Sequence, residues 1–426
     1  MLLSFRVANH RSIRDEQELS LVATEHNEHT ARDTGVRIEG RSVSVLPSVG
    51  IFGANASGKS NMLDALRFMR RAVLNSFADW GKEQEGRVPR HPFALAPEAR
   101  EDTSLFEVEL LLGKRPVRYT YGFELSDERV EAEWLHAYPA GRRQEWFDRD
   151  ARRPDEGAEE FRFRGTGLRG RKEEFVAFTR PNALFLTVAA TMNHPQLAAV
   201  HRWFRDNLWL VTSQHDVRAR TGWTRDRIAS DAAFRDRLTA LLVQADLGIT
   251  GVRTNPDTGE VHLLHRAGDG ATVPLDFWQQ ESLGTHAWFA FLGPLLHVLD
   301  HGGTLLADEL DSSLHPLLAA EVIRLFQDRE ANPRTAQLIF TTHDATLLGP
   351  SVAERPLDRD QVWVSAKNAV GETELYPLTA ARRAVRKDDN LERRYLHGHY
   401  GGIPRIGPGD LAREVALLEE KLRRSA

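Results

Sequence analysis

The run Gly53-Ala54-Asn55-Ala56-Ser57-Gly58-Lys59-Ser60 constrains this chain more than any other stretch, because it fits G-x-x-x-x-G-K-[ST] without a mismatch. An apolar strand-like run (Val49, Ile51, Phe52) leads into it. A helix-periodic segment (Met62, Leu63, Leu66, Met69, Val73) leaves it. Strand, glycine-rich turn and helix start in that order make a phosphate site. Glycines at 53 and 58 let the backbone curl so that its N–H groups point inward, and the helix dipole adds positive potential. The pattern predicts that Lys59 reaches the outer phosphates and that Ser60 offers its hydroxyl to Mg2+. Gly53, Asn55, Ala56, Ser57, Gly58 and Asn61 complete the expected nucleotide cradle.

A chain of 426 residues with 41% apolar content is long enough for two or three packed units. The formal charge of -5 argues against a globally basic nucleic-acid coat and leaves only a local basic face as a route to DNA. With no cysteine, disulfides, thiolate zinc sites and cysteine nucleophiles are excluded, and a reducing, cytoplasmic location is expected. Residues 1–8 alternate like a strand rather than a signal peptide. No apolar run approaches the roughly 18 residues of a membrane span, so no membrane role is expected.

Along the chain, 2–7 and 17–22 alternate as an opening hairpin. Leu105–Leu112, Val117–Glu124, Arg129–Tyr138 and Gln144–Asp148 read as an antiparallel meander with turns between. From Pro195 to Leu247 the pattern is helical, without heptads sustained enough for a long coiled-coil arm. After short strands over 248–275 the chain returns to alternating helix and strand, the rhythm of a parallel sheet. The expected fold is α/β: a phosphate-loop core split by an inserted antiparallel β-meander plus a helical lobe. Its expected parts are 1–100 (opening hairpin and phosphate loop), 101–180 (meander continuing the core), 181–270 (helical lobe), 271–378 (second half of the core) and 379–426 (C-terminal extension).

That second half carries three further signals. The strand Thr304-Leu305-Leu306-Ala307 ends in Asp308-Glu309; a buried parallel strand delivers its last residues to the ligand crevice, so Asp308 can face the metal shell and Glu309 the attacking water. The strand Gln337–Thr341 is followed by His343, whose imidazole can donate to the outermost phosphate or to that water. Glu281-Ser282-Leu283-Gly284-Thr285 opens a helix with hydroxyls around a glycine, which reads equally as an anion site and as a plain cap.

Phosphate loop, Ser-x-Gly-Thr helix start, Asp-Glu strand, Asp311 turn and strand-end histidine stand in the order found in ABC-type ATPases. In that class the Ser/Gly helix start of one copy closes over nucleotide held by another, giving a head-to-tail sandwich. More specifically, Asn9-His10-Arg11-Ser12-Ile13, the loop through Asn61, Arg180-Pro181-Asn182-Ala183 and Glu281–Thr285 resemble the RloA-type, AAA15-like bacterial ATPases. So do Asp308–Pro316, Thr341-Thr342-His343-Asp344, Arg359-Asp360-Gln361 and Tyr395–Pro404. These ATPases are relatives of OLD, RecF and SMC proteins and are commonly found in anti-phage or abortive-infection modules beside a separate effector.

The resemblance implies that ATP and Mg2+ are bound and ATP is hydrolysed. Lys59, Glu309 and His343 would be catalytic, Ser60 and Asp308 would hold the metal, and Ser282, Gly284, Thr285 and Asp311 would complete the nucleotide contacts. It also implies an ATP-dependent homodimer or higher oligomer and a separate effector such as a nuclease or toxin. The chain departs from the family's usual pattern at His10, where an aromatic stands, and at His286 and His399, where arginines stand. The glutamine loop of such ATPases is not legible in the sequence; the His91-Pro92-Phe93 region is the candidate.

The alternative reading is a RecF/SMC-like DNA-binding repair ATPase. It would draw a basic groove from Arg162, Arg164, Arg169, Arg171 and Lys172, or from Arg382, Arg383, Arg386 and Lys387. A third is an effector enzyme using Arg394 and His399 in an R-x-x-x-x-H ribonuclease spacing.

Overall fold

Two sheets organise the chain, and the phosphate loop belongs to one while the opening strand belongs to the other. The computed structural model describes residues 1–425 other than 28, 83–85, 213–215, 246–247, 256–257, 313, 351–354, 382–384, 387–388, 405–406 and 408. In chain order the strands are β1 (Leu2–Ala8), β2 (Gln17–Ser20), β3 (Arg32–Ile38), β4 (Arg41–Val45), β5 (Ser48–Phe52), β6 (Ser104–Leu112), β7 (Val117–Leu125), β8 (Val130–Tyr138) and β9 (Gln144–Asp150). There follow β10 (Phe161–Arg162), β11 (Leu208–Val211), β12 (Ile249–Thr254), β13 (Val261–Arg266), β14 (Thr272–Asp276), β15 (Thr304–Ala307), β16 (Gln337–Thr342), β17 (Val362–Lys367) and β18 (Thr373–Pro377).

The core sheet runs β11-β15-β16-β5-β17-β18, parallel except for its last pair. Leu305, Leu306, Leu338, Ile339, Val49 and Ile51 are buried, as strands covered on both faces require. The second sheet is antiparallel, β10-β9-β8-β7-β6-β1-β2. The meander therefore continues the opening hairpin in one sheet, through the β1–β6 pairing. The helix Lys59–Asp79 lies in the same apolar cluster as both sheets: its Met62, Leu66 and Met69 join Phe5 and Phe106 on one side and Ile51 and Ile339 on the other. Gln337 ties the sheets directly, its amide accepting from Leu2 N at 2.7 Å and donating to Leu2 O at 2.9 Å.

One stretch departs from the helical pattern expected over 195–247. Between the helices Leu197–Asn207 and Val217–Ser230 the chain forms β11, parallel to β15. Four consecutive apolar residues, Leu-Trp-Leu-Val, carry no period that separates a short buried strand from helix, and pairing with Thr304–Ala307 decides it. The β3–β4 ribbon is likewise set by pairing, with few apolar residues to announce it. Beyond β11, the helices Val217–Ser230 and Ala232–Gln244 and the small sheet β12-β13-β14 form the lobe that ends in the helix Leu283–His301. Helices 217–230 and 283–301 cross closely: a Cβ at Gly293 would overlap Thr224 Oγ1. Among the described residues no helix is long and apolar enough to cross a membrane.

Candidate nucleotide site

The loop between β5 and the helix Lys59–Asp79 turns through two left-handed residues, Ala56 (φ 63°) and Gly58 (φ 98°). Glycine is needed at 58 for this φ and because a Cβ there would overlap Thr373 Oγ1. At 53 a Cβ would strike Ser365 O and Ser57 Oγ. The loop is clamped from beneath. Ser365 Oγ and Thr373 Oγ1 both donate to Ser57 O (3.1 and 3.0 Å), and Ser12 Oγ lies 2.7 Å from Thr373 Oγ1. Asn61 Nδ2 donates to Ser12 Oγ at 2.5 Å, so this side chain holds the N-terminal turn. Ser57 is buried, whereas Asn55 and Ala56 are exposed at the loop tip.

Lys59 spans the loop mouth. Its ammonium donates to Gly53 O (2.7 Å) and Ala54 O (2.8 Å), and burial lowers its pKa against the opposing charges of Asp311, Glu309 and Asp308. Two of its three donors are thus spent on the loop and one remains for a phosphate oxygen. The first N–H groups of the helix have no intrahelical partners and face the same place.

Ser60 Oγ donates to Asp308 Oδ1 at 2.8 Å, which joins the phosphate loop to the end of β15. Thr341 Oγ1 also donates to Asp308 Oδ1 (2.7 Å) and accepts from Glu309 N (2.7 Å). Thr341 is a site residue that sequence reasoning passed over, although it begins the Thr-Thr-His-Asp run; only its pairing across β15–β16 gives it this task. Glu309 has φ +52°, a left-handed conformation unusual for a residue with a side chain, stabilised in part by the Thr341 bond to its own N–H. A hydroxyl and a carboxylate facing each other are hard oxygen donors suited to Mg2+, which takes a few protein oxygens and fills its octahedron with water and phosphate. Among the described residues no group of three or more His, Asp or Glu forms a metal cage.

Replacing Thr341 with Val removes, at nearly constant volume, the hydroxyl that donates to Asp308 and accepts from Glu309 N–H. The expected outcome is a loss of about 1–3 kcal/mol in urea unfolding, together with a raised Mg2+ requirement for nucleotide binding.

His343 and Asp311 come together, Nδ1 to Oδ2 at 3.0 Å, with the histidine half exposed and the aspartate buried. Ser282, Leu283 and Gly284 form an exposed helix start; Ser282 Oγ caps Thr285 N at 3.1 Å and meets Thr285 Oγ1 at 2.9 Å, and Thr285 itself is buried. Among the described residues no hydrogen bond or ion pair links this helix start to the phosphate loop. His286 turns inward to the Phe277 carbonyl and packs between Phe277 and Trp278, so it presents no exposed cation.

His10 stands among Phe68, Phe106 and His91 and binds Asp64 at 3.0 Å. Burial raises the Asp64 pKa, but hydrogen bonds from His10 and Arg11 and the charges of Arg11 and Arg67 outweigh it and hold this carboxyl well below its usual range. An aromatic-sized ring that also anchors the phosphate-loop helix explains the residue. The His91–Phe93 segment lies beside the opening turn, with Arg11 N bonded to His91 O and Phe93 N to Asn9 Oδ1, and not beside Asp308. The strand paired with β15, which leads into Asp308, is β11; Gln214, in the segment that follows it, lies outside the described residues.

The other resemblance motifs brace the site. Arg180 and Asn182 donate to Phe77 O and Trp80 O, carbonyls at the end of the phosphate-loop helix. Gln361 donates to Ser48 O and Oγ at the start of β5. Ala54 N donates to Gly402 O at 2.6 Å, and Tyr395 Oη donates to the same carbonyl, so the C-terminal turn closes one wall of a cavity of about 890 Å³ above Asn55. Arg394 is paired with Asp389 and Tyr395 is buried, which gives the Arg394–His399 spacing a structural use. In the first basic cluster Arg164 faces Glu145, Arg171 faces Glu174 and Lys172 lies over Phe163. Arg382, Arg383 and Lys387 of the second, and Ser313 of the Asp308–Pro316 run, lie outside the described residues.

A sequence model of the family described as "AAA domain, putative AbiEii toxin, Type IV TA system" matches residues 48–349, from β5 past His343. No curated protein sequence matches the chain. Solved structures with a similar fold include the SMC head domain from Thermotoga maritima (13% identity, 88% of this chain and 98% of that one, TM-score 0.39). Another is a Smc head domain with an extended coiled coil bound to the C-terminal domain of ScpA, derived from Pyrococcus furiosus (13% identity, 88% and 96%, TM-score 0.41).

Proposed function

Because this chain belongs to that AAA-domain family, we propose that it is a Mg2+-dependent ATPase that closes on ATP as a head-to-tail dimer. The observation that carries this reading is the chain of contacts from Ser60 through Asp308 and Thr341 to the Glu309 N–H, which sets two carboxylate residues at the start of the helix that follows the glycine-rich loop. Lys59 and the loop N–H groups would hold the β- and γ-phosphates, with Ser60 and Asp308 at the metal. Mg2+ bound there neutralises charge on the phosphate oxygens. Glu309 orients a water and takes its proton as the water oxygen attacks the γ-phosphorus and the bond to the bridging oxygen breaks. His343, steadied by Asp311, donates to the γ-phosphate.

The Ser282-Leu283-Gly284 start is exposed, which suits a contact made to a second copy. Closure then depends on ATP, and hydrolysis reopens the pair. The family description names a putative AbiEii toxin of a type IV TA system, which fits a toxin–antitoxin or abortive-infection setting; in our reading the chain is the ATP-gated switch of such an anti-phage module and acts on a separate effector. In the DNA-binding alternative, the ion pairs of Arg164 with Glu145 and Arg171 with Glu174 leave less positive surface for a groove.

Purified protein is expected to release phosphate from ATP with Mg2+ and not with EDTA, and to sediment as a dimer with a non-hydrolysable ATP analogue. A monomer at saturating analogue would sink the sandwich, and Mg2+-independent release would sink the assignment of Asp308.

A further inference from the structure

Arg220, on the helix Val217–Ser230, is nine-tenths buried, and among the described residues its Nε and Nη1 have no hydrogen-bond partner. It lines a cavity of about 30 Å³ together with Thr212, Asp308, Glu309 and Ser312, and Thr212 Oγ1 is also buried without a partner among the described residues. Burial pushes the Arg220 pKa down, opposed by the charge of Asp216. A buried guanidinium whose donors are not hydrogen-bonded is a heavy cost to a fold. The anions that line its own cavity are Asp308 and Glu309.

We infer that Arg220 is a positioning residue for Glu309: as the lobe closes over nucleotide, its guanidinium donates to the Glu309 carboxylate and aims it at the attacking water. The helix that carries Arg220 crosses the Ser282 helix where Thr224 meets Gly293, without room for a side chain at 293. A displacement of the Ser282 helix by a second copy is therefore passed to Arg220 by packing. The dimer contact and the base are joined through one residue, so hydrolysis awaits closure. This inference rests on the ATPase reading.

The test is a double-mutant cycle of Arg220→Gln and Glu309→Gln in the full chain, read by urea unfolding with Mg2+ and a non-hydrolysable ATP analogue. The expected result is a coupling of about tenfold in the unfolding equilibrium constant. Alongside it, Arg220→Gln is expected to slow phosphate release about 10- to 100-fold while nucleotide affinity changes less than about threefold. Arg220→Lys, which restores a charge but not the fork, should recover part of the rate. Additive effects in the cycle, or a loss of affinity as large as the loss of rate, would overturn the inference. If Arg220→Gln does not fold, Arg220→Met keeps the buried volume and completes the same cycle. Coupling in a wild-type protein that releases no phosphate would keep the Arg220–Glu309 pair and remove the ATPase reading instead.

Discussion

Glu309→Gln will bind ATP as tightly as the wild type, release phosphate at least about 100-fold more slowly and collect as a dimer on size exclusion with ATP and Mg2+. General-base assistance contributes about 10²- to 10⁴-fold, and the amide keeps the size of the side chain while losing its ability to take a proton. Binding should survive because the groups placed to hold phosphate and metal are Lys59, Ser60, Asp308 and the loop backbone. The Thr341 hydroxyl bonds the main-chain N–H of residue 309, so the left-handed turn does not depend on the carboxylate. A Gln variant that turns over at the wild-type rate would remove Glu309 from the chemistry. One that remains monomeric with trapped ATP would remove the two-copy site.

Lys59→Ala is expected to weaken ATP binding about 100-fold or more, ~3 kcal/mol, measured by titration calorimetry at fixed Mg2+. The lysine does two jobs. It stitches the loop through the carbonyls of residues 53 and 54 and leaves one charged donor for a phosphate oxygen, so the alanine loses both the preformed loop and the charge. Lys59→Arg should not rescue, because carbonyls 2.7 and 2.8 Å from one nitrogen suit a compact ammonium rather than a planar fork. Full affinity in either variant would mean that phosphate is held elsewhere.

These two experiments separate holding a nucleotide from acting on it, and the separation follows the chain. The residues proposed to hold phosphate are contiguous, at 53–61, and their geometry is local: a turn, a helix start and a lysine six residues from its carbonyl partner. That part was legible because its physics is short-range. The four meander strands were legible for the same reason, since alternation and turn residues mark them within a residue or two of their ends.

Long-range pairings were not legible. The strand β11 has an ambiguous apolar pattern and becomes a strand only because β15 offers a parallel partner, which sets it beside the strand that leads into Asp308. Thr341 reads as one more strand residue until β15–β16 register brings its hydroxyl to Asp308 and Glu309. The motifs at 180–183, 359–361 and 395–404 could be noticed in sequence but not interpreted. Arg180 and Gln361 donate to the main chain of Phe77 and Ser48, and the Gly402 carbonyl accepts from Ala54 N, at distances of roughly a hundred residues or more along the chain.

The sequence by itself determined that a glycine-rich loop at Gly53–Ser60 joins a buried strand to a helix start and that carboxylates end a second buried strand, because helix starts, turns and strand periodicity act over a few residues. Only the tertiary structure decided that Ser60, Asp308, Thr341 and Glu309 form one hydrogen-bonded unit, that His286 is buried, and that Arg220 lines one cavity with Asp308 and Glu309. The physical reason is that side-chain hydrogen bonds and charge burial are fixed by which strands are neighbours, a choice made by packing the two sheets on the phosphate-loop helix.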